Sequence, residues 1–206
     1  MPPALSASRA GVMPEASRDR SSGTFGKNNM NHDIDIHIEW EGPHSFSEAL
    51  TKKSEKDYGI YQIYGSHPIY GSDVLLYIGK ADIQYFGVRL SQEDWWMEMP
   101  DAGRITVYLG RLAGTTTPVD EVWGSLITKA ERLLIYAHVP AFNAQKSIRS
   151  IDDDLFNVHV FNWKRYRNLF PELSGSRWTS RLGEMPGYHV FDTTENNQAP
   201  NTQKQQ

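Results

Sequence analysis

Two runs of strand-forming residues, Tyr-Gly-Ile-Tyr-Gln-Ile-Tyr at 58–64 and Val-Leu-Leu-Tyr-Ile-Gly-Lys-Ala at 74–81, constrain this chain more than any other feature. Gly65, Pro68, Gly71 and Asp73 stand between them as turn residues, so the pair predicts an antiparallel hairpin with a long loop. If Tyr64 pairs with Val74, counting back places Tyr61 directly opposite Tyr77, with their Cβ atoms about 5 Å apart on one face. A slip of one residue would send the two phenols to opposite faces. Tyrosines favour strands, so packing alone accounts for such a pair. A chemical role needs support from further along the chain.

The elements around the hairpin follow from periodicity. Residues 33–40 alternate, with Ile34, Ile36, Ile38 and Trp40 on one face and Asp33, Asp35, His37 and Glu39 on the other, which predicts a half-buried strand. His37 and His44 read as surface histidines, not metal ligands. Ser45 and Glu48 have the spacing of a capping box for a short helix running toward Lys53. After the hairpin, Asp82 is placed to cap a helix carrying Ile83, Phe86 and Leu90, with Arg89 at the edge of that stripe. Gly87 is poor in a helix by about 1 kcal/mol and implies close backbone approach or an irregular turn. Trp95, Trp96, Met97 and Met99 read as core. Residues 104–109 alternate as a further strand of the same sheet.

The best-defined helix follows Thr117, taken as its N-cap, with Pro118 at the first helical position and Asp120 at the third. Val119, Val122, Trp123, Leu126, Ile127, Ala130, Leu133, Leu134 and Ala137 form its apolar stripe, and Glu131 lies roughly 110° from the centre of that stripe. Pro140 ends the helix and leaves Asn143 in the turn beyond, where its amide can bond to local backbone or orient Glu131 or the hairpin. His138 shares the azimuth of Glu131 about two turns further on. Residues 156–161 read as a strand, with Asp152, Asp153 and Asp154 before it in a solvated turn.

The tripeptides Gly59-Ile60-Tyr61 and Tyr77-Ile78-Gly79 resemble the pair that names the GIY-YIG nuclease domain. Lys80, Arg89, Glu131 and Asn143 follow in the order in which that family carries a lysine, a helical arginine, a helical glutamate and an asparagine. Glu131-Arg-Leu-Leu-Ile and Pro140-Ala-Phe-Asn143 look like the last two segments. The resemblance spans residues 57–143, and its loop between tripeptides is longer than in many members, a place for substrate contact. It implies an α+β fold with a small central antiparallel β-sheet flanked by helices. It also implies an endonuclease that hydrolyses phosphodiester bonds with Mg²⁺ or Mn²⁺.

On that resemblance the catalytic residues are Tyr61, Tyr77, Lys80, Arg89, Glu131 and Asn143. Glu131 would hold the metal, and Arg89 would grip phosphate with its planar fork. Tyr61 would be the general base and Tyr77 would orient water or phosphate, although the two roles can be exchanged. A free phenol with a pKa near 10 is ionised in only about one molecule per thousand at pH 7. Lys80 and the metal are the cations expected to lower it, by about 1 to 3 units. The rival is a nucleic-acid-binding or assembly module that kept the fold and lost cleavage. The presence of every expected side chain argues against it.

A formal charge of −4 over 206 residues means that any nucleic-acid surface, DNA first, must be locally basic. Lys164, Arg165, Arg167, Arg177 and Arg181 interleave with Trp163, Tyr166, Phe170 and Trp178, a mixture that suits phosphates and bases. It equally suits a segment with aromatics inward and cations outward. The absence of cysteine excludes disulfides and thiolate zinc sites and fits a reducing, cytoplasmic setting. No apolar run or leader predicts membrane insertion or secretion. Residues 1–32 and 192–206 are too polar to bury a core and are expected to be disordered, leaving one domain over 33–191. Met30, just ahead of the first strand, is a second position from which translation can begin.

Overall fold

The alternation at 34–40 becomes a strand because Ile36, Ile38 and Trp40 can be buried together on one side of it. The computed structural model describes residues 33–92, 104–143, 151 and 153–178. The expectations for residues 1–32, for Trp95, Trp96, Met97 and Met99, for Asp152, for Arg181 and for the tail from 192 lie outside these residues. Strand β1 (Ile34–Ser45) is followed by α1 (Phe46–Leu50), β2 (Gly59–His67), β3 (Gly71–Ala81), α2 (Phe86–Ser91), β4 (Thr106–Ala113), α3 (Asp120–His138), β5 (Val158–Lys164) and β6 (Glu172–Ser174).

The strands form one sheet in the order β3-β2-β4-β1-β5-β6. The fold is therefore α+β, but the sheet is mixed and not purely antiparallel as expected. β1 and β5 run parallel, from Ile34 beside Val158 to Trp40 beside Lys164. Parallel neighbours need a long crossover, and the chain between β1 and β5, α3 included, supplies it. Among the described residues no helix is long and apolar enough to cross a membrane.

Two apolar layers sit on opposite faces of the sheet. On one, Ile36, Ile38, Trp40, Ile60, Tyr64 and Ile78 meet Ile127, Ala130, Leu133 and Leu134 of α3. On the other, Tyr61, Ile63, Tyr77, Val107 and Leu109 meet Ala49 of α1 and Phe86 and Leu90 of α2. The capping box of α1 forms as expected: the Ser45 hydroxyl accepts from the Glu48 N–H at 3.2 Å, and the Glu48 carboxylate accepts from the Ser45 N–H at 2.7 Å. Of the two readings open to Gly87, the structure shows the close approach. The Gly87 N–H donates to the Lys52 carbonyl at 2.8 Å, and a Cβ there would fall 2.3 Å from the Leu50 carbonyl oxygen.

Other expectations shift. α3 starts at Asp120 with Val119 as an N-cap that makes no side-chain bond, so Thr117 and Pro118 stay outside the helix; Val119 and Val122 are exposed, and the apolar stripe begins one turn later. α2 is capped at Tyr85, not Asp82, whose carboxylate takes Lys80 instead, and Ile83 is left 88% exposed. The hairpin has long strands and a short connection at 68–70, not a long loop. Two register shifts each admit one extra residue on β3, so the pairing runs from His67 beside Gly71 to Ile63 beside Tyr77 and Tyr61 beside Gly79.

Candidate active site

Two shifts of one residue preserve the alternation, so Tyr61 and Tyr77 share a face as diagonal neighbours and not directly opposite each other. Their ring centroids are 6.1 Å apart with planes tilted by 34°. The residue that does face Tyr61 is Gly79, and a Cβ there would sit 2.5 Å from the Tyr61 hydroxyl and 2.7 Å from the Tyr77 ring. The glycine of the second tripeptide is thus the space into which the Tyr61 ring lies. Gly59 serves the first tripeptide differently: at φ +145°, it passes so close to β4 that a Cβ would meet the Gly110 carbonyl oxygen at 2.0 Å. Tyr61 is fully buried, its hydroxyl included, and Tyr77 retains 9% of its exposure.

Helix α2 covers this pair with Phe86 and Leu90 and carries Arg89, half-buried, between them. Its placement depends on Asp57, 5% exposed, just ahead of β2. The Asp57 carbonyl accepts from the Phe86 N–H at 2.7 Å, while its carboxylate accepts from Arg111 at 2.7 Å and from the Ser54 N–H at 2.8 Å. Burial pushes the Asp57 carboxyl up, but these hydrogen bonds and the Arg111 charge together hold it below the usual range. One buried residue therefore fixes both the entry to the first tripeptide and the start of the arginine helix.

Lys80 does not join the tyrosines, which corrects its expected role as their neighbouring cation. It stands an odd number of positions from Tyr77, and its ammonium lies on the α3 side, donating to Asp82 at 2.6 Å and to the Thr128 hydroxyl at 2.7 Å. Glu131, half-buried, is three residues along α3 from Thr128 and so shares its side of the helix. Asn143 is 2% exposed and spans the outer edge of β3. Its side-chain oxygen accepts from the Ile78 N–H at 2.8 Å and its amide donates to the Ile78 carbonyl at 2.9 Å. Of the alternatives open to it, Asn143 orients the hairpin. The N–H groups of Ala141 and Phe142 donate to Leu75 and Leu76 of the same edge. Of the six residues, Tyr61, Tyr77, Lys80 and Asn143 lie on or against the β2–β3 hairpin, while Arg89 and Glu131 stand on α2 and α3, the helices that cover its opposite faces.

Among the described residues no group of three or more His, Cys, Asp or Glu side chains gathers to hold a metal. A single carboxylate still fits Mg²⁺, which keeps several waters and draws other ligands from phosphate oxygens. Asp154, in the expected acidic turn, pairs with Arg132 at 2.8 Å. His138 pairs with backbone on both sides, its Nδ1 at 2.9 Å from the Leu134 carbonyl and its Nε2 accepting from the Phe170 N–H at 2.8 Å.

The basic segment divides. Arg167 is a structural clip: its guanidinium lies 3.9 Å above the Tyr64 ring and reaches Asp73 at 2.5 Å. Burial pushes the Tyr64 phenol up to about 12 despite this cation, so the ring stays neutral beneath it. Lys164 pairs with Glu39, Arg165 donates to the Gly42 carbonyl at 2.9 Å, and Arg177 is exposed in the turn after β6. Trp163, Phe170 and Trp178 are 52%, 49% and 41% exposed, so these aromatics do not turn inward. Pro43, Tyr108, Lys164, Arg165, Tyr166 and Arg167 line an open cleft of ≈ 430 Å³. Sequence reasoning missed Pro43 and Tyr108, because only the pairing of β1 with both β5 and β4 brings them to this loop; the partnership of Lys80 with Asp82, two positions apart across the end of β3, was there to be found.

Comparison of the chain with protein-family models, with curated proteins and with solved structures finds no match.

Proposed function

We propose that this protein is an endonuclease of GIY-YIG type that hydrolyses phosphodiester bonds, DNA first, with Mg²⁺ or Mn²⁺. The observation that carries this reading is the pair of phenol rings with centroids 6.1 Å apart over a glycine on the edge strand of the sheet, with Arg89 on the helix that covers them. Tyr77 is the better candidate to meet water or phosphate, because the Tyr61 hydroxyl is closed off from solvent. Tyr61 then holds the Tyr77 ring in place from below. Arg89 binds a phosphate oxygen pair through its fork. Glu131 is the residue that would hold the metal, which when bound neutralises charge on the phosphoryl oxygens. Lys80, tied to Asp82 and Thr128, fixes the distance between β3 and the helix that presents Glu131. Asn143 is a positioning residue that sets β3 against the end of that helix.

The test is Glu131→Ala assayed on a panel of duplex, branched and single-stranded DNAs with Mg²⁺. Cleavage falls by orders of magnitude, since each 1.36 kcal/mol of lost stabilisation is tenfold in rate. Folding stability changes by less than about 1 kcal/mol, because alanine is the better helix former and the core stripe is untouched. A folded variant that cuts at the wild-type rate removes Glu131 from the site. The buried Tyr61 hydroxyl favours one second reading, a nucleic-acid-binding module without cleavage. Wild-type protein that binds but never cuts with either metal would establish that instead.

A further inference from the structure

The cleft beside the end of β5 has no part in the chemistry assigned to β3, yet it is built from ring faces and cations. Three ring-bearing residues, Pro43, Tyr108 and Tyr166, and three cations, Lys164, Arg165 and Arg167, line it. These three cations differ in what they can still do. Arg167 is committed to Tyr64 and Asp73. Lys164 pairs with Glu39, but the two side chains are 64% and 43% exposed, so the pair is weak and a phosphate can take its place. Arg165 is exposed, gives one N–H to Gly42, and meets no carboxylate among the described residues. Lys164 and Arg167 also sit at φ 62° and 56°, a left-handed backbone that side chains other than glycine and asparagine enter at a cost. A plain connector would carry glycine there; this loop keeps long cationic side chains.

We propose that this cleft receives one unpaired nucleotide of the strand being processed, its base against Tyr166 and Pro43 and its phosphate on Arg165 and Lys164. The choice of a nucleic-acid ligand rests on the nuclease reading. A volume of ≈ 430 Å³ is in the range of small-ligand sites, and the combination of ring faces with adjacent cations is how single strands are gripped without sequence readout. A paired base is stacked inside its duplex and cannot enter such a cleft, so the preferred substrate carries a single-stranded portion: a flap, a junction arm or an open strand. Two phosphate-contacting cations on an otherwise acidic chain also mean a shallow dependence on salt.

The experiment measures fluorescence anisotropy of a labelled oligodeoxythymidylate and of a blunt duplex of equal length, with the full chain, in EDTA, across a range of salt. The wild type is expected to bind the single strand more tightly than the duplex. Arg165→Gln, at an exposed position, is expected to reduce the slope of log K against log salt by about 0.7, the value of one single-strand phosphate contact. Tyr166→Leu, which keeps apolar bulk, is expected to weaken binding about 5- to 100-fold with the slope unchanged. Preference for the duplex, or an Arg165→Gln slope equal to wild type, overturns the proposal. Because EDTA removes cleavage from the measurement, a wild type that binds the single strand in this manner but never cuts with Mg²⁺ defeats the nuclease reading and leaves the cleft standing.

Discussion

The two sides of strand β3 are held by different forces. Toward α2, Tyr77 and Ala81 are packed against Tyr61, Phe86 and Leu90 by close contact, and Gly79 leaves the room that makes the contact possible. Toward α3 and along the rim, Ile78 also packs on the helix, and polar groups pin the strand in addition: Lys80 to Asp82 and Thr128, and Asn143 to both backbone groups of Ile78. Alternation makes this unavoidable, since neighbours on a strand point to opposite faces and Tyr77 and Lys80 cannot share one. On the nuclease proposal, chemistry drawn from both sides would meet around the edge of the sheet, where β3 is the last strand. That places the greatest demand on whatever fixes the edge.

Removing the rim pin has the largest expected effect on the fold. Asn143→Ala deletes two hydrogen bonds and leaves a buried N–H and C=O of Ile78 without partners, at an expected cost of about 2 to 4 kcal/mol in chemical denaturation. A loss under about 0.5 kcal/mol would mean that the backbone bonds from Ala141 and Phe142 hold the edge unaided. The packed side is expected to yield less. Gly79→Ala sets a methyl group 2.5 Å from the end of the Tyr61 ring, which must move with Tyr77, at about 1 to 3 kcal/mol. The same shift carries both phenols off their positions, so near-UV circular dichroism and cleavage change even where the variant stays folded. An unaltered tyrosine spectrum would show that the glycine is not what seats the ring.

The contrast explains which parts of the molecule could be read from sequence. Packing is periodic, so the buried face of β1 and the core half of α3 were legible, and two local signals, the three-residue spacing of Ser45 and Glu48 and the glycine at 87, were legible too. The shared face of Tyr61 and Tyr77 was legible by parity alone: two extra residues on β3 moved the partner of Tyr61 from Tyr77 to Gly79 without changing sides. Polar pinning that reaches outside such a local motif follows no period. Asp82 has the credentials of an N-cap, but Lys80 two positions away claims it; Thr117 and Pro118 look like a helix start, but the helix waits for Asp120. The parallel partnership of β1 and β5 joins segments more than a hundred residues apart in a pairing that no local pattern encodes. Arg165 and Arg167 have the same charge and near-identical contexts in sequence, and only the fold separates them, setting one over the Tyr64 ring beside Asp73 and the other at the surface on the Gly42 carbonyl.

The smallest effect separates the two sides by pH. On the packed side the ionisable anchor is Asp57, whose lowered pKa gives stability that is present above the unfolded carboxylate value and lost only as pH falls through the folded one, well into acid. On the pinned side it is His138, whose pKa is pushed down by burial, partly offset by its bond to the Leu134 carbonyl. Its Nε2 accepts from the Phe170 N–H at 2.8 Å, so the imidazole must be neutral for the loop after β5 to close against α3. A histidine with a depressed folded pKa binds more protons unfolded than folded. Stability is then complete above the unfolded value near 6.5 and is lost as pH falls below it toward the folded pKa. Between pH 7.5 and 5.5 the wild type is expected to lose a modest part of its melting temperature, and His138→Gln, which can still accept from Phe170 but cannot titrate, is expected to lose less. Comparing the two proteins at each pH cancels the other histidines. Parallel pH profiles would show that His138 does not clip the loop in solution, and the polar pinning of the α3 side would then rest on groups such as Lys80 and Asn143.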